Sequence, residues 1–322
     1  MKKIVVAPDS FKGSLTSAEV ADAVERGIKD VFPQCNVVKA GVADGGEGTV
    51  EAIVKAVGGD MYAASVTDPL GRPVKAAYGI VRSGGVKTAV MEMSAASGLP
   101  LLLPDELNPW ITSTYGTGEM ISDALNRGCR KFLVGIGGSA TNDAGTGMLS
   151  ALGVRFLDSR GQRLKGCGRD LKSIARIDMS SLMPAARESE FIVACDVNTP
   201  FCGPDGAARV FAPQKGADPQ TAEALDRGMR SFARGIAGQF QTDIVPLSGA
   251  GAAGGLGGAF KAFLNARLTA GIEMVLDAIA FDSLLEGASL VITGEGRIDA
   301  QTAAGKTAAG VLRHAARKGI PV

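Results

Sequence analysis

The apolar run Ser289-Leu290-Val291-Ile292-Thr293 leads into a charged glycine turn, GEGRID, and then into a helical pattern that reaches Lys318. A short apolar run bounded by turn residues is what a buried parallel strand requires. Parallel strands need a crossover between them, usually a helix, and an open parallel sheet binds its ligands where the strands end. The same order of strand, loop of glycine and acid, and helix recurs along this chain, so an open α/β sheet is the architecture to expect.

The recurrence can be followed from the N-terminus. Residues 3–7 (KIVVA) form a first strand, Thr16 and Glu19 a capping box, and Val20, Val24, Ile28 and Val31 one face of a helix that Pro33 stops. Residues 37–42 give a second strand and 49–57 a second helix, closed by Gly58-Gly59. The rhythm then changes: strands at 62–66, 74–81 and 87–93 are separated by turns too short to hold helices, which predicts antiparallel pairing. Helical units return with a helix at 117–126, strands at 131–136 and 191–195, and a long helix capped by Asp218-Pro219. The fold class predicted is α/β with two domains: a Rossmann- or flavodoxin-like parallel-sheet domain of residues 1–65 plus 260–322, and a mixed α/β domain of 66–259 inserted in it. Ile320-Pro321-Val322 reads as the first residues of a further strand, and a chain that stopped there would be expected to leave apolar surface and an unpaired edge.

Composition narrows the chemistry. A net charge of +1 leaves no footprint for nucleic acid, and no run of residues suits a signal peptide or a membrane span. Five cysteines without CxxC spacing argue against a disulfide framework, so the cytoplasm is the expected location. The single histidine, His314, reads as a helix-surface residue far from any acidic loop, which disfavours a Ser-His-Asp triad or a histidine-based zinc site. Acid–base work then falls to carboxylates and lysines.

Two motifs match binding sites by letter only. Residues 300–307 approach a phosphate-binding P-loop, with Ala300 in place of the first glycine, yet GEGRID separates them from their strand. Gly249 to Gly254 (GAGAAG) fits a dinucleotide fingerprint, with a strand at 244–247 before it and Glu273 near the acidic position. Its surroundings are glycine-rich throughout, so a closely packed helix start is the better reading. It keeps open a nicotinamide-dependent oxidoreductase of a small hydroxy acid as an alternative function; a non-catalytic nucleotide- or metabolite-binding protein is another.

The loops after the strands carry more weight together. PDSFKGS (8–14), ADGGEGT (43–49), SAASG (94–98), GGSATNDAG (137–145), CDVNTP (195–200) and TGEGRID (293–299) combine small residues with acids, hydroxyls and asparagine. Turns alone do not need so many carboxylates at one edge. Convergent carboxylates without histidine suit Mg²⁺ and phosphate, because Mg²⁺ takes oxygen ligands and binds through one or two carboxylates plus phosphates. Bare amides and helix N-termini beside them can cradle phosphate.

In these residues the chain resembles a known family. APDSFKGSLTS, VADGGEGT, DPLGRPV, GGSATNDAG, FAPQKGA and VITGEGRID are similar, in order and along essentially the whole chain, to the bacterial glycerate kinases that form 2-phosphoglycerate. The resemblance implies two α/β domains with substrates in the cleft between them, and ATP- and Mg²⁺-dependent phosphorylation of D-glycerate. Members of that family continue past Val322. Thr199 replaces an asparagine of the pattern, and Ala308 a proline.

On the matched positions, Lys12 with Ser10 and Ser14 is expected to contact phosphate or the substrate carboxylate, and Arg297 to grip that carboxylate bidentately. Asp44, Glu47 and Glu295 are the expected ligands of Mg²⁺ or its water shell. Gly137, Gly138, Ser139, Asn142, Gly294 and Gly296 are candidates for the nucleotide phosphates, and Ser94 for the substrate. Asp196 and Asp143 compete as the base. Asp196 is preferred because it follows its strand directly and has Asn198 beside it to orient it, whereas Asp143 opens a helix, whose dipole lowers basicity. Small-molecule substrates are the expected partners, with no nucleic acid and no membrane; a homodimer stays open.

Overall fold

The computed structural model describes residues 2–11, 13–83, 85–296 and 307–322. Its strands are β1 (Lys3–Val6), β2 (Asn36–Lys39), β3 (Gly59–Thr67), β4 (Pro73–Ser83), β5 (Val86–Glu92), β6 (Lys131–Gly135), β7 (Arg155–Leu157), β8 (Arg176–Asp178), β9 (Glu190–Ala194), β10 (Arg267–Thr269) and β11 (Leu290–Ile292). Before β6 come α1 (Ser17–Val31), α2 (Thr49–Val57), α3 (Ser94–Ser97) and α4 (Tyr115–Asn126). After it come α5 (Thr146–Ala151), α6 (Pro184–Arg187), α7 (Ala207–Phe211), α8 (Pro219–Phe240), α9 (Ala252–Leu264), α10 (Gly271–Ala278), α11 (Phe281–Leu284) and α12 (Thr307–Arg317).

Two main sheets result. One is parallel and three-stranded, in the order β11-β1-β2; the other has six strands in the order β10-β9-β6-β5-β4-β3, parallel from β10 to β5 and antiparallel from β5 to β3. The antiparallel pairing of the β3–β5 stretch follows from its short turns, as predicted. A short antiparallel pair, β7-β8, and the edge strand β10 were not legible in the sequence pattern. In the smaller sheet the chain leaves β1 to one side for β2 and returns on the other as β11. This makes the carboxyl end of β1 a point of topological reversal, where a crevice opens.

Alternation along each strand builds the layers. Phe132 and Val134 of β6 and Phe191 and Val193 of β9 face a core with α4, α5, α8 and α9, while Leu133, Ile192 and Ala194 face the opposite way. The Phe132 and Phe191 rings stack with centroids 4.7 Å apart. On the second face, α2, α10 and α12 lie between the two sheets, and Val5, Ala7, Val291, Ile192 and Ile272 belong to one core cluster. Helix α1 covers the outer face of the small sheet through Ala21 and Ile28 against Ile4 and Val6. The Thr16–Glu19 capping box fixes where it starts, with Glu19 N–H donating to Thr16 Oγ1 at 3.2 Å. Such a cap contributes about 1 kcal/mol.

Two expectations change. No strand precedes Gly249: residues 244–251 form turns, and Ala253, Gly254 and Gly255 break α9 with left-handed φ angles of 52°, 67° and 94°. A side chain at Gly254 would strike the backbone of Thr141 and Asn142, so this glycine run is there for close packing, and the dinucleotide reading loses its strand–turn–helix context. His314 is not on the surface. It is 4% exposed and sits between Asp282 and Glu273, because α12 packs its polar side against α10 and α11. At residues 320–322, read as the start of a further strand, Pro321 O accepts from Val291 N–H of β11 at 2.9 Å.

Candidate active site

The exits of the two sheets meet around the first turn of α10. Leaving β2, the chain makes the turn Asp44-Gly45-Gly46, with Gly45 at φ 85°. A Cβ on Gly45 would stand 2.6 Å from the Ala194 Cβ at the end of β9 and 2.9 Å from Gly271 Cα. A Cβ on Gly271 would overlap Asp44 O, and one on Gly135, at the end of β6, would overlap Gly45 O. Only glycine lets these three backbones approach so closely, and that approach brings a loop of the small sheet onto the strand ends of the large one.

Asp196 belongs to this junction. It is exposed, two residues beyond β9, and its Oδ1 accepts from Gly271 N–H at 2.9 Å. The carboxylate thereby caps α10 and is held in place by a helix whose dipole favours an anion there. Asn198 is also exposed, and its Oδ1 accepts from Ser248 Oγ at 2.7 Å. Asp44 Oδ1 accepts from Gly46 N–H at 3.2 Å, while Glu47 points to solvent.

Asp143 has different surroundings. It is fully buried, and it accepts from Thr114 N–H (2.7 Å), Thr114 Oγ1 (2.8 Å), Gly145 N–H (3.0 Å) and Gly147 N–H (3.2 Å). Burial raises its pKa and these hydrogen bonds oppose that rise. Asp143 ties the start of α4 to the start of α5, and none of its surface is exposed. Ser139 and Asn142 are buried as well; Asn142 Nδ2 donates to Met229 Sδ at 3.2 Å, and its Oδ1 has no hydrogen-bond partner among the described residues. Of the GGSATNDAG loop, Gly137 and Gly138 remain exposed, with half-buried Ser94 at the head of α3 beside Gly138.

At the reversal point of the small sheet, Asp9 N–H donates to Gly294 O at 2.8 Å. Asp9 Oδ1 accepts from Ser10 N–H at 2.7 Å, and its Oδ2 from Thr307 Oγ1 at 2.6 Å, which links the exit of β1 to the first residue of α12. Ser10 is half-buried and Ser14 exposed. Gly296 is exposed, and Glu295 keeps a buried Oε1 with no hydrogen-bond partner among the described residues. Lys12 and Arg297 lie outside the described residues, as do Asp299, Lys306 and the P-loop-like stretch short of Thr307.

Three polar groups escaped the sequence reading. Glu92 ends β5 and accepts from Val50 N–H, at the start of α2, at 3.2 Å; burial pushes its pKa up to about 7. Lys215 is 1% exposed, donates from Nζ to Ser139 Oγ and to Thr141 O at 2.7 Å each, and is pushed down to about 7 by burial, with Asp143 acting in the opposite sense. Asp9 is the third. Glu92 stands just before the 94–98 loop and Lys215 lies in FAPQKGA, but nothing in the letters shows that either is buried. Together the site offers exposed glycine amides, a capped carboxylate, and backbone turns held by buried polar groups, which suits a charged, phosphate-bearing ligand.

The chain matches the glycerate kinase family model over residues 4–322. It is 49% identical over 320 residues to a glycerate kinase of Bacillus subtilis, covering 99% of this chain and 83% of that protein. It is 46% identical over 320 residues to the glycerate 2-kinase of Escherichia coli K12, covering 99% of this chain and 84% of the relative. A crystal structure assigned as glycerate kinase 2 from Salmonella typhimurium LT2 superposes with a TM-score of 0.94 at 47% identity, over 100% of this chain and 85% of the other.

Proposed function

The chain belongs to the glycerate kinase family, and on that premise we propose that it transfers the γ-phosphoryl group of ATP to the 2-hydroxyl of D-glycerate. The observation that carries the reading is the junction at α10, where Asp44-Gly45-Gly46 from one sheet abuts Ala194 and Gly271 at the strand ends of the other, and Gly271 N–H donates to Asp196. The two lobes, one built on each sheet, would enclose the substrates there; β3 and β10 both belong to the larger sheet, so its lobe takes in residues on both sides of the 66–259 span.

In this proposal Asp196 accepts the hydroxyl proton, and α10 fixes its orientation. Asn198, Ser10, Ser14 and Ser94 contact glycerate, with Lys12 and Arg297 taking its carboxylate. The exposed amides of Gly137 and Gly138, with Gly294 and Gly296, face the phosphates. Asp143, Ser139 and Asn142 support that loop from behind, as their burial suggests. Because the transition state of phosphoryl transfer is loose, positioning and charge count for more than proton removal.

Mg²⁺ bound to the phosphates would neutralise their charge. Among the described residues no three His, Cys, Asp or Glu side chains gather into a metal-holding group. One or two carboxylates suffice for a Mg²⁺ shared with phosphates, and half-buried Glu295, whose Oε1 has no hydrogen-bond partner among the described residues, and half-buried Asp44 fit that need better than solvent-facing Glu47. No helix among the described residues is long and apolar enough to cross a membrane, and a cytoplasmic enzyme, monomeric or homodimeric, is our reading.

Coupling to enolase tests the proposal, since only 2-phosphoglycerate feeds that enzyme. Turnover without added phosphoglycerate mutase is expected. Turnover that waits for the mutase would overturn the 2-position and leave the kinase standing.

A further inference from the structure

A cavity of about 270 Å³ beside β10 is lined by Leu247, Ser248, Lys261, Asn265, Ala266, Arg267 and Leu268. Its lining holds two cations and no carboxylate, and among the described residues neither Lys261 nor Arg267 has an ion-pair partner. Ser248 and Asn265 add hydrogen-bonding side chains, while Leu247, Ala266 and Leu268 supply an apolar wall. Lys and Arg are the usual pair for a phosphate dianion, one as a point charge and the other as a fork. The apolar wall suits a short carbon skeleton.

We propose that this cavity is a second ligand site, for a small phosphomonoester, and that its occupancy is felt at the Asp196 loop. Two connections run from the cavity to that loop. Ser248 Oγ donates its only proton to Asn198 Oδ1 at 2.7 Å. A phosphate oxygen reaching Ser248 competes for that proton, and Asn198 loses its partner. The other connection is β10 itself: Arg267 and Leu268 line the cavity, Thr269 O accepts from Cys195 N–H at 2.8 Å, and Gly271 N–H donates to Asp196. Ligand binding that shifts β10 therefore moves the residue before Asp196 and the donor that caps it.

The binding part stands by itself, whereas the kinetic part rests on the glycerate kinase reading, and the test separates them. Glycerol 3-phosphate and inorganic phosphate are titrated into the full chain and into Asp196→Asn while the melting temperature is followed. A saturable rise is expected in both proteins, larger for the phosphomonoester, and it should vanish in the Lys261→Ala/Arg267→Ala double variant, whose substitutions are exposed. An equal response to the two ligands would assign the site to free phosphate. An equal rise in the double variant, or no saturation, would overturn the site. In turnover assays glycerol 3-phosphate is expected to change the KM for glycerate by about fivefold, the low end of allosteric coupling. Ser248→Ala, which removes one of the two connections, should keep saturable binding with a weaker Kd and shrink the kinetic effect; an undiminished effect would overturn the Ser248–Asn198 route. Saturable binding that leaves the wild-type kinetics unchanged would overturn the coupling.

Discussion

Asp196 and Asp143 look alike in the sequence, each an acid in a small-residue loop after a strand, yet one faces solvent from a helix cap and the other accepts four hydrogen bonds in the core. Asp196→Asn is therefore expected to lower kcat by about 10²- to 10⁴-fold, the usual range for loss of a general base, with the melting temperature nearly kept. Asp143→Asn places an NH₂ against N–H and O–H donors and should cost about 1–3 kcal/mol of stability, while the folded fraction keeps its kcat. The opposite pattern in steady-state kinetics and thermal melts would move the base to Asp143. Lys215 gives a pH signature. Its folded pKa lies near 7, below the ordinary 10.5, so between those values the unfolded chain binds more protons and stability rises with pH. Denaturant melts of Lys215→Met across that range should lose this rise, and an unchanged slope would show that Lys215 is not the source.

Among the elements, α10 does the most to bring the site together. Gly271→Ala puts a methyl on Asp44 O, so the 44–46 turn or the helix start must move. We expect kcat/KM to fall by about a hundredfold, as a misplacement of roughly 1 Å can do, with the circular-dichroism spectrum retained. Activity near wild type would mean that this contact does not position the site. Helices α10, α11 and α12 also meet at His314, whose ring lies 2.7 Å from Asp282 Oδ1 and 3.0 Å from Glu273 Oε2, with Arg313 on the second oxygen of Glu273. Burial lowers the His314 pKa, but the two carboxylates outweigh it and the net shift is upward from 6.5. Its stabilisation is complete below 6.5 and is lost as pH rises through the folded value. Glu273 is shifted downward from 4.5, against its own burial, by Arg313 and His314, so its share is lost as pH falls through its folded value. The cluster should stabilise most between 4.5 and 6.5, and His314→Gln should flatten the pH dependence of the melting temperature above that window.

At the scale of the whole molecule, the helices α2, α10 and α12 serve both sheets at once, with Val5 and Val291 in the same core cluster as Ile192 and Ala194. Sheets that share a core this way should lose structure together. Unfolding followed by far- and near-ultraviolet circular dichroism is expected to give coincident transitions. Ile272→Ala, at a fully buried position of that layer, should lower stability by about 2–5 kcal/mol without splitting the transition. Two separate transitions would show that the lobes fold independently.

What the sequence determined was periodic or local. Alternation and short turns fixed the α/β class and the antiparallel β3–β5 stretch, a capping box fixed the start of α1, and long motifs such as GGSATNDAG pointed to the family. These signals are legible because they depend on neighbours within a few residues or on letters kept together. The tertiary structure alone decided which acids are exposed and which are buried. The burial of Asp143, Asn142 and Lys215, the capping of α10 by Asp196, and the enclosure of His314 between two carboxylates all depend on residues tens of positions away. Whether a carboxylate ends as a reactive group or as a buried tie between helices is set by the solvent that those distant residues exclude, and no local spacing records that exclusion.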